Sequence, residues 1–334
     1  MKEEKKRSGF RRFLTALFTV ILVLILAFCT LMYIIPAFET VKIKTVDGSA
    51  DWMSKLPDEK LLSDTVIPGT HDSASKYADL AFFSKCQALT IKEQLEAGYR
   101  YLDIRLAVDG EGMKLMHGFT ACRTGVFPFS NVLKLDDVLA DCYSFLDSHP
   151  TETVIFAVKQ EHGDETVAEF QRILSTYIER DENRWFLTGI VPTVGEARGK
   201  LVLLRRYGDE AGLVAKSGVG FNWRDQGGRD DISLSSEQNA CEGFTLFVQD
   251  RYKYDSAEKW NAFIEATRAA KTSPADISLN FLSTNGSPAY GHPYKYSREL
   301  NSMLTSVNPQ LSGWIPVDFA DAKIAEFIYS QNFS

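Results

Sequence analysis

Val66-Ile67-Pro68-Gly69-Thr70-His71-Asp72-Ser73 is the stretch on which the reading of this chain turns. β-Branched and aliphatic residues up to Ile67 read as a strand, and Pro68-Gly69 is expected to turn the backbone out of it. His71 and Asp72 then stand side by side on a turn at a strand's C-terminal end, where barrel enzymes carry their chemistry. A single His-Asp pair is ordinary polar surface. It gains meaning because the same pattern returns along the chain.

Working outward, candidate strands fall at 65–67, 101–105, 114–117, 153–159, 201–205, 245–249, 277–282 and 314–317, with amphipathic helical stretches at 91–97, 135–148, 165–180 and 257–270. Eight strands with intervening helices over this length point to an α/β fold, a (β/α)8 barrel. The Gly-, Asp- and Ser-rich stretch 206–244 has little helical signal, so the barrel is expected to be distorted or incomplete there. An open doubly wound sheet is the competing architecture, but no GxGxxG turn supports it. Beyond the first strand, the strand ends carry Asp103 and Arg105, then His117, Lys159 with Glu161, Arg205 with Arg206, Asp250 with Tyr252, and finally Asp318. In a barrel these polar groups would meet at one mouth, as in an enzyme.

The 334 residues are 45% hydrophobic and 24% charged, which suits one large globular unit with an appendage, and no internal repeat is visible. The net charge of −7 is uneven: six cations and two anions before Phe13 give +4, leaving −11 on the rest. An acidic body argues against nucleic acid as partner. Residues 13–38 carry no charge, about 26 positions where about 20 suffice to cross a bilayer. No Ala-x-Ala site follows, so the segment is expected to be an uncleaved anchor, with a cleaved secretory signal as the alternative. The basic flank at 1–12 would keep the N-terminus cytoplasmic and the body outside the cell membrane. A connector at 39–50 would lead into a catalytic barrel at 51–334. Cys86, Cys122, Cys142 and Cys241 allow three full pairings, with free buried thiols as the alternative, and they lack the CxxC spacing of a zinc site.

Two histidines near carboxylates suit base and acid roles near neutral pH, and arginine and lysine beside them call for an anionic substrate, most simply a phosphate. Asp250, Tyr252 and Arg206 suit the hydroxyls of a polyol. A base, an acid and a cationic clamp around a phosphodiester allow a substrate hydroxyl to act as nucleophile and form a cyclic phosphate.

The motifs Ile67-Pro68-Gly69-Thr70-His71-Asp72-Ser73, Leu102-Asp103-Ile104-Arg105, Met116-His117-Gly118, Gly199–Tyr207, Val248-Gln249-Asp250-Arg251-Tyr252 and Gly313–Asp318 together resemble the bacterial phosphatidylinositol-specific phospholipase C family. The resemblance runs from about Trp52 to the C-terminus. It implies a TIM-type barrel that cleaves phosphatidylinositol, or a glycosylphosphatidylinositol lipid, to diacylglycerol and inositol 1,2-cyclic phosphate. His71 would be the base, oriented by Asp318. His117 would be the acid, assisted by Asp72. Arg105 would hold the phosphate, taking the place that calcium fills in metal-dependent relatives, and Asp103 would support the site. Lys159, Arg206, Asp250 and Tyr252 match the residues that hold the inositol ring. No cofactor or metal is expected, and the protein is expected to act as a monomer. Where family members carry an interfacial tryptophan, this chain has Phe82, Phe83 and Tyr290, which are candidate membrane contacts. Two other readings are a metal-dependent glycerophosphodiesterase, which Arg105 disfavours, and an inactive inositol-lipid-binding module, for which an acid and a base would be superfluous.

Overall fold

The computed structural model describes residues 2–208, 210, 212, 218–220, 222–227, 235–238, 244–268, 273–286 and 291–333. Its strands are β1 (Ile67–Thr70), β2 (Tyr101–Asp109), β3 (Gly112–His117), β4 (Thr120–Ala121), β5 (Val154–Gln160), β6 (Trp185–Phe186), β7 (Leu201–Arg206), β8 (Val219–Gly220), β9 (Ser235–Gln238), β10 (Thr245–Gln249), β11 (Ile277–Asn280) and β12 (Trp314–Val317). The helices are α1 (Lys2–Cys29), α2 (Ile35–Ala37), α3 (Ala81–Ser84), α4 (Ile91–Glu96), α5 (Leu135–Ser148), α6 (Val167–Glu179), α7 (Val194–Ala197), α8 (Ser256–Thr267), α9 (Pro293–Val307) and α10 (Ala322–Tyr329).

The sheet runs β6-β7-β5-β2-β1-β12-β11-β10-β9. Along this order, among the described residues, every pairing from β6 to β10 is parallel and β9 at the end runs against β10. Strands buried on both faces read as near-continuous apolar runs, as β5 does with Val154-Ile155-Phe156-Ala157-Val158. Alternate residues build two cores. Tyr101, Ile155, Ala157, Val202 and Leu204 join the cluster containing Trp314 and α10. Leu102, Ile104, Phe156, Val158 and Leu203 pack with α5 and α6. Capping boxes start α4 (Thr90 with Glu93) and α8 (Asp255 with Glu258), satisfying backbone donors that a helix N-terminus leaves open. Among the described residues no ladder joins β8 to β9, so the molecule is a distorted, incomplete (β/α)8 barrel.

Two expectations need correction. Pro68 and Gly69 do not end the first strand; they lie inside β1, which runs to Thr70. Pro68 is tolerated because β2 begins to pair with β1 only at Gly69 and Thr70. Gly69 is required because a Cβ there would lie 2.9 Å from Tyr101 Cβ. The candidate strand 114–117 is not a barrel stave either. As β3 it turns back antiparallel on β2, with Asp109 opposite Gly112, because the short Gly110-Glu111 link allows a hairpin but no crossover helix.

Candidate active site

The parallel register brings the strand-end residues together. Residues 101, 103 and 105 share the inner face of β2, since side chains alternate along a strand. Arg105 is in register with Lys159 on β5, and Lys159 with Arg206 on β7, so three cations separated widely in sequence stand in one row. On the other side of β2, Thr70 pairs with Val317 and the His71 amide donates to the Val317 carbonyl at 3.0 Å. His71 and Asp318 therefore emerge side by side. His117 reaches the same mouth from the β3 hairpin.

These groups form one continuous chain. His71 Nδ1 donates to Asp318 Oδ1 at 2.7 Å, and Arg105 Nη2 donates to His71 Nε2 at 2.9 Å. This is the neutral tautomer with Nε2 as acceptor. Arg105 Nη1 lies 3.3 Å from Asp72 Oδ2, and that same carboxylate pairs with His117 Nδ1. Arg105 also donates to Asp103 Oδ2 from Nε (3.2 Å) and Nη2 (3.0 Å), and stands 3.9 Å from Glu161. Three carboxylates thus hold one guanidinium in place. The backbone contributes as well. Asp72 takes a left-handed φ of 44°, costly for a non-glycine residue, and its amide donates to Asp103 Oδ2 at 3.1 Å. Phe319, just after Asp318, has φ of 45°.

The electrostatics follow from these neighbours. Burial alone would lower the pKa of His71, but the charge and hydrogen bond of Asp318 outweigh it and raise it above the ordinary imidazole value, against opposition from Arg105. Burial would raise the pKa of Asp72, yet His117 and Arg105 lower it. Asp103 is held below the usual carboxylate range by Arg105 and Arg206, again against burial. Arg206 Nη1 donates to Asp103 Oδ1 at 3.1 Å.

The mouth opens on a cavity of about 670 Å³, lined by His71, Arg105, His117, Lys159, Arg206, Asp250, Tyr252 and Asp318. The residues expected to hold a polyol line the same cavity, together with Trp223 and Asp225. The Arg206 guanidinium lies 3.6 Å from the centre of the Trp223 ring, and Trp223 Nε1 donates to Asp250 Oδ2 at 3.1 Å. Tyr252 Oη donates to Asp225 Oδ1 at 2.8 Å. Of the candidate membrane contacts, Phe83 is 41% exposed at the cavity edge. Phe82 is half-buried and stacks on His292 with ring centres 4.2 Å apart. Tyr290 lies outside the described residues, as does Cys241. Cys86, Cys122 and Cys142 are buried free thiols.

Several site residues have no signature in the sequence. Glu161 is legible as a strand-end carboxylate, but its place beside Arg105 and 2.7 Å from Lys159 Nζ is not. Gln87 is fully buried, donating to the carbonyls of His71 (2.7 Å) and Val317 (2.9 Å) and accepting from the Ala320 amide. It ties His71 to the strand end that bears Asp318. Trp223 and Asp225 come from a stretch with no periodicity. His71, Cys86 and Asp318 also bring metal-ligand atoms within 4.8 Å of one another. A cation there would compete with the fixed Arg105 guanidinium, and Asp318 is already engaged by His71.

The family model for the phosphatidylinositol-specific phospholipase C X domain matches residues 60–207. The 1-phosphatidylinositol phosphodiesterase of Staphylococcus aureus (strain Newman) is 29% identical over 287 residues, spanning 81% of this chain and 88% of the relative. Its counterpart from Listeria monocytogenes is 28% identical over 309 residues, 87% of each chain. A solved S. aureus phosphatidylinositol-specific phospholipase C superposes with a TM-score of 0.71 at 26% identity, covering 84% of this chain and 97% of that one. The L. monocytogenes structure gives 0.65 at 25% identity, covering 85% and 98%. Residues 60–207 thus match the family's X-domain model, and over more than four fifths of its length the chain is similar in sequence and fold to bacterial phosphatidylinositol-specific phospholipases C.

Proposed function

We propose that the protein is a membrane-anchored phosphatidylinositol-specific phospholipase C that forms diacylglycerol and inositol 1,2-cyclic phosphate. One observation carries the mechanism: the unbroken chain Asp318–His71–Arg105–Asp72–His117, which joins a base, a cation and an acid. His71 Nε2 takes the proton of the inositol 2-hydroxyl while Asp318 steadies the imidazolium that forms. The 2-oxygen bonds to phosphorus, and the phosphorus–oxygen bond to the glycerol breaks. His117, with Nδ1 engaged by Asp72, protonates the departing glycerol oxygen from Nε2. Negative charge builds on the nonbridging oxygens, where Arg105 transfers the hydrogen bond it makes to His71 Nε2 in the free enzyme. That exchange frees the base only when a phosphate has arrived. Lys159, Arg206, Asp250 and Tyr252 hold the ring hydroxyls, and Asp103 keeps Arg105 and Arg206 aligned. The cationic row does the electrostatic work, so neither metal nor cofactor is required.

The anchor belongs to the same reading. The helical segment Gly9–Ala37 is long and apolar enough to cross a bilayer, with 6% of its most apolar window buried in the protein. The domain plan is then a basic flank at 1–12, a span at 13–38, a connector at 39–50 and the barrel at 51–334, with the barrel extracytoplasmic and monomeric. Phosphorus NMR of the full chain with phosphatidylinositol in mixed micelles tests the chemistry. The cyclic phosphate is expected first, at the same rate in excess EDTA. Acyclic inositol phosphate formed with no cyclic precursor overturns the mechanism, and calcium-restored activity after chelation overturns the role of Arg105.

A further inference from the structure

A span that served only as a tether would leave the bilayer through a loose polar connector. Here the end of the span is built into the barrel. Lys85, buried just after α3, donates from Nζ to the carbonyls of Pro36 (2.6 Å) and Glu39 (2.7 Å). The buried Glu39 carboxylate pairs with His292 Nε2, and His292 Nδ1 donates to the Phe82 carbonyl at 2.6 Å. Met32 and Pro36 are buried, and Tyr33 stacks on Phe127 with ring centres 5.3 Å apart. Arg123 covers Phe127 at 4.9 Å while pairing with both Asp79 oxygens at 2.6 and 3.0 Å. A lysine taken out of water is costly to leave unpaired, so these contacts favour one seated geometry over a swinging one.

The seat lies at the edge of the active-site mouth. α3 carries Phe82 onto His292 and Phe83 onto the cavity edge, and Leu80 and Ser84 line the same cavity. The loop that receives Tyr33 bears Val126, Phe127 and Phe129, exposed by 50, 42 and 94%, and its neighbour Phe119 also lines the cavity. The exit of the span, an apolar rim and the cavity entrance are therefore continuous.

We infer that the barrel is locked to its own anchor with its mouth against the leaflet from which the span emerges, so that it acts on headgroups of its own membrane and excludes those of another. The inference rests on the catalytic and membrane-spanning readings above, and its occupant is that one lipid leaflet. The joint replaces free diffusion of the barrel on a tether with a fixed approach.

The test uses the full chain in proteoliposomes, with phosphatidylinositol either in the same vesicles or in separate ones. A short-chain soluble phosphatidylinositol reports catalysis independently. Three proteins are compared: the natural chain, a flexible Gly-Ser insertion after Phe38, and Lys85→Met. The insertion leaves the barrel's own packing intact should Lys85→Met fold poorly. The natural chain is expected to favour same-vesicle substrate by roughly 10²-fold, the scale of a tethered encounter. The insertion is expected to raise cleavage of separate vesicles several-fold while leaving soluble turnover unchanged. A bimane attached through Phe129→Cys is expected to be quenched by brominated lipid chains in the natural chain and less so with the insertion. Equal cleavage of separate vesicles by the natural chain and the insertion, or equal quenching in both, overturns the inference. Loss of soluble turnover in the natural chain would instead overturn the catalytic reading, with the quenching still reporting on the joint.

Discussion

Two arginines five positions apart on one stretch of chain mark the two ends of the barrel. Arg100, just before β2, is fully buried and its guanidinium is saturated. It binds Glu152 at 2.9 Å and the carbonyls of Leu95, Tyr99 and Ala50 at 2.7–2.9 Å. Arg105, inside β2, is held by carboxylates but reaches the cavity and donates to His71 Nε2, the nitrogen that takes the substrate proton in the proposed mechanism. In the proposed mechanism the same residue type is structural at the N-terminal end and chemical at the C-terminal end. What separates them is whether the partner is permanent. Arg100 has backbone carbonyls that no ligand displaces, whereas the bond from Arg105 to His71 Nε2 is one a phosphate oxygen can replace.

The largest effect is expected at the mouth. His71→Ala and His117→Ala should each lower turnover by about 10²–10⁴-fold, with little change in thermal stability. A substrate with a better leaving group should rescue the His117 variant more than the His71 variant, and equal rescue would break the assignment of acid and base. At the opposite end, Glu152→Gln leaves the Arg100 cation buried without its counter-charge. It should cost about 3–5 kcal/mol of stability in denaturant melts while the folded fraction keeps its kcat. A fall in kcat there would erase the distinction between the two ends.

Arg105→Lys keeps the charge but loses the fork that spans His71, Asp72 and Asp103. It should lower kcat by about 10²–10³-fold, as for removal of a charge-stabilising donor, with a small change in melting temperature. The smallest effect sharpens the comparison through pH. As the proposed base, His71 would work only when unprotonated, and Asp318 raises its pKa, so the acid limb of kcat/KM should lie above the ordinary imidazole value. Asp318→Asn removes that charge and should move the limb to lower pH, alongside its loss of rate. A limb that stays in place would mean another group controls it.

Much of the site is legible before folding because barrel chemistry gathers where strands end. His71, Asp72, Asp103, Arg105, Lys159, Arg206, Asp250 and Asp318 are polar residues at the ends of apolar runs, which local patterning displays. His117 is legible as a residue but not as a position, since a hairpin, not a stave, delivers it to the mouth. The reading of Pro68-Gly69 as a strand terminator fails because local propensity cannot register that β2 starts late or that Tyr101 needs the space of a missing Cβ. Gln87, Trp223 and Asp225 are invisible in advance, because nothing within a few residues of each distinguishes it from ordinary loop polarity.

By itself the sequence determined the alternation of strands and helices, the chemistry available at the strand ends and one apolar segment of membrane-spanning length. These depend on the identity and periodicity of neighbouring residues. Tertiary structure alone decided that Arg105, Lys159 and Arg206 form a row, that Arg100 is sealed while Arg105 reaches the cavity, and that Lys85 holds the end of the apolar segment beside the mouth. Those outcomes depend on which strands lie side by side and in what register. Register follows from long-range packing of both sheet faces, which no short window of sequence contains.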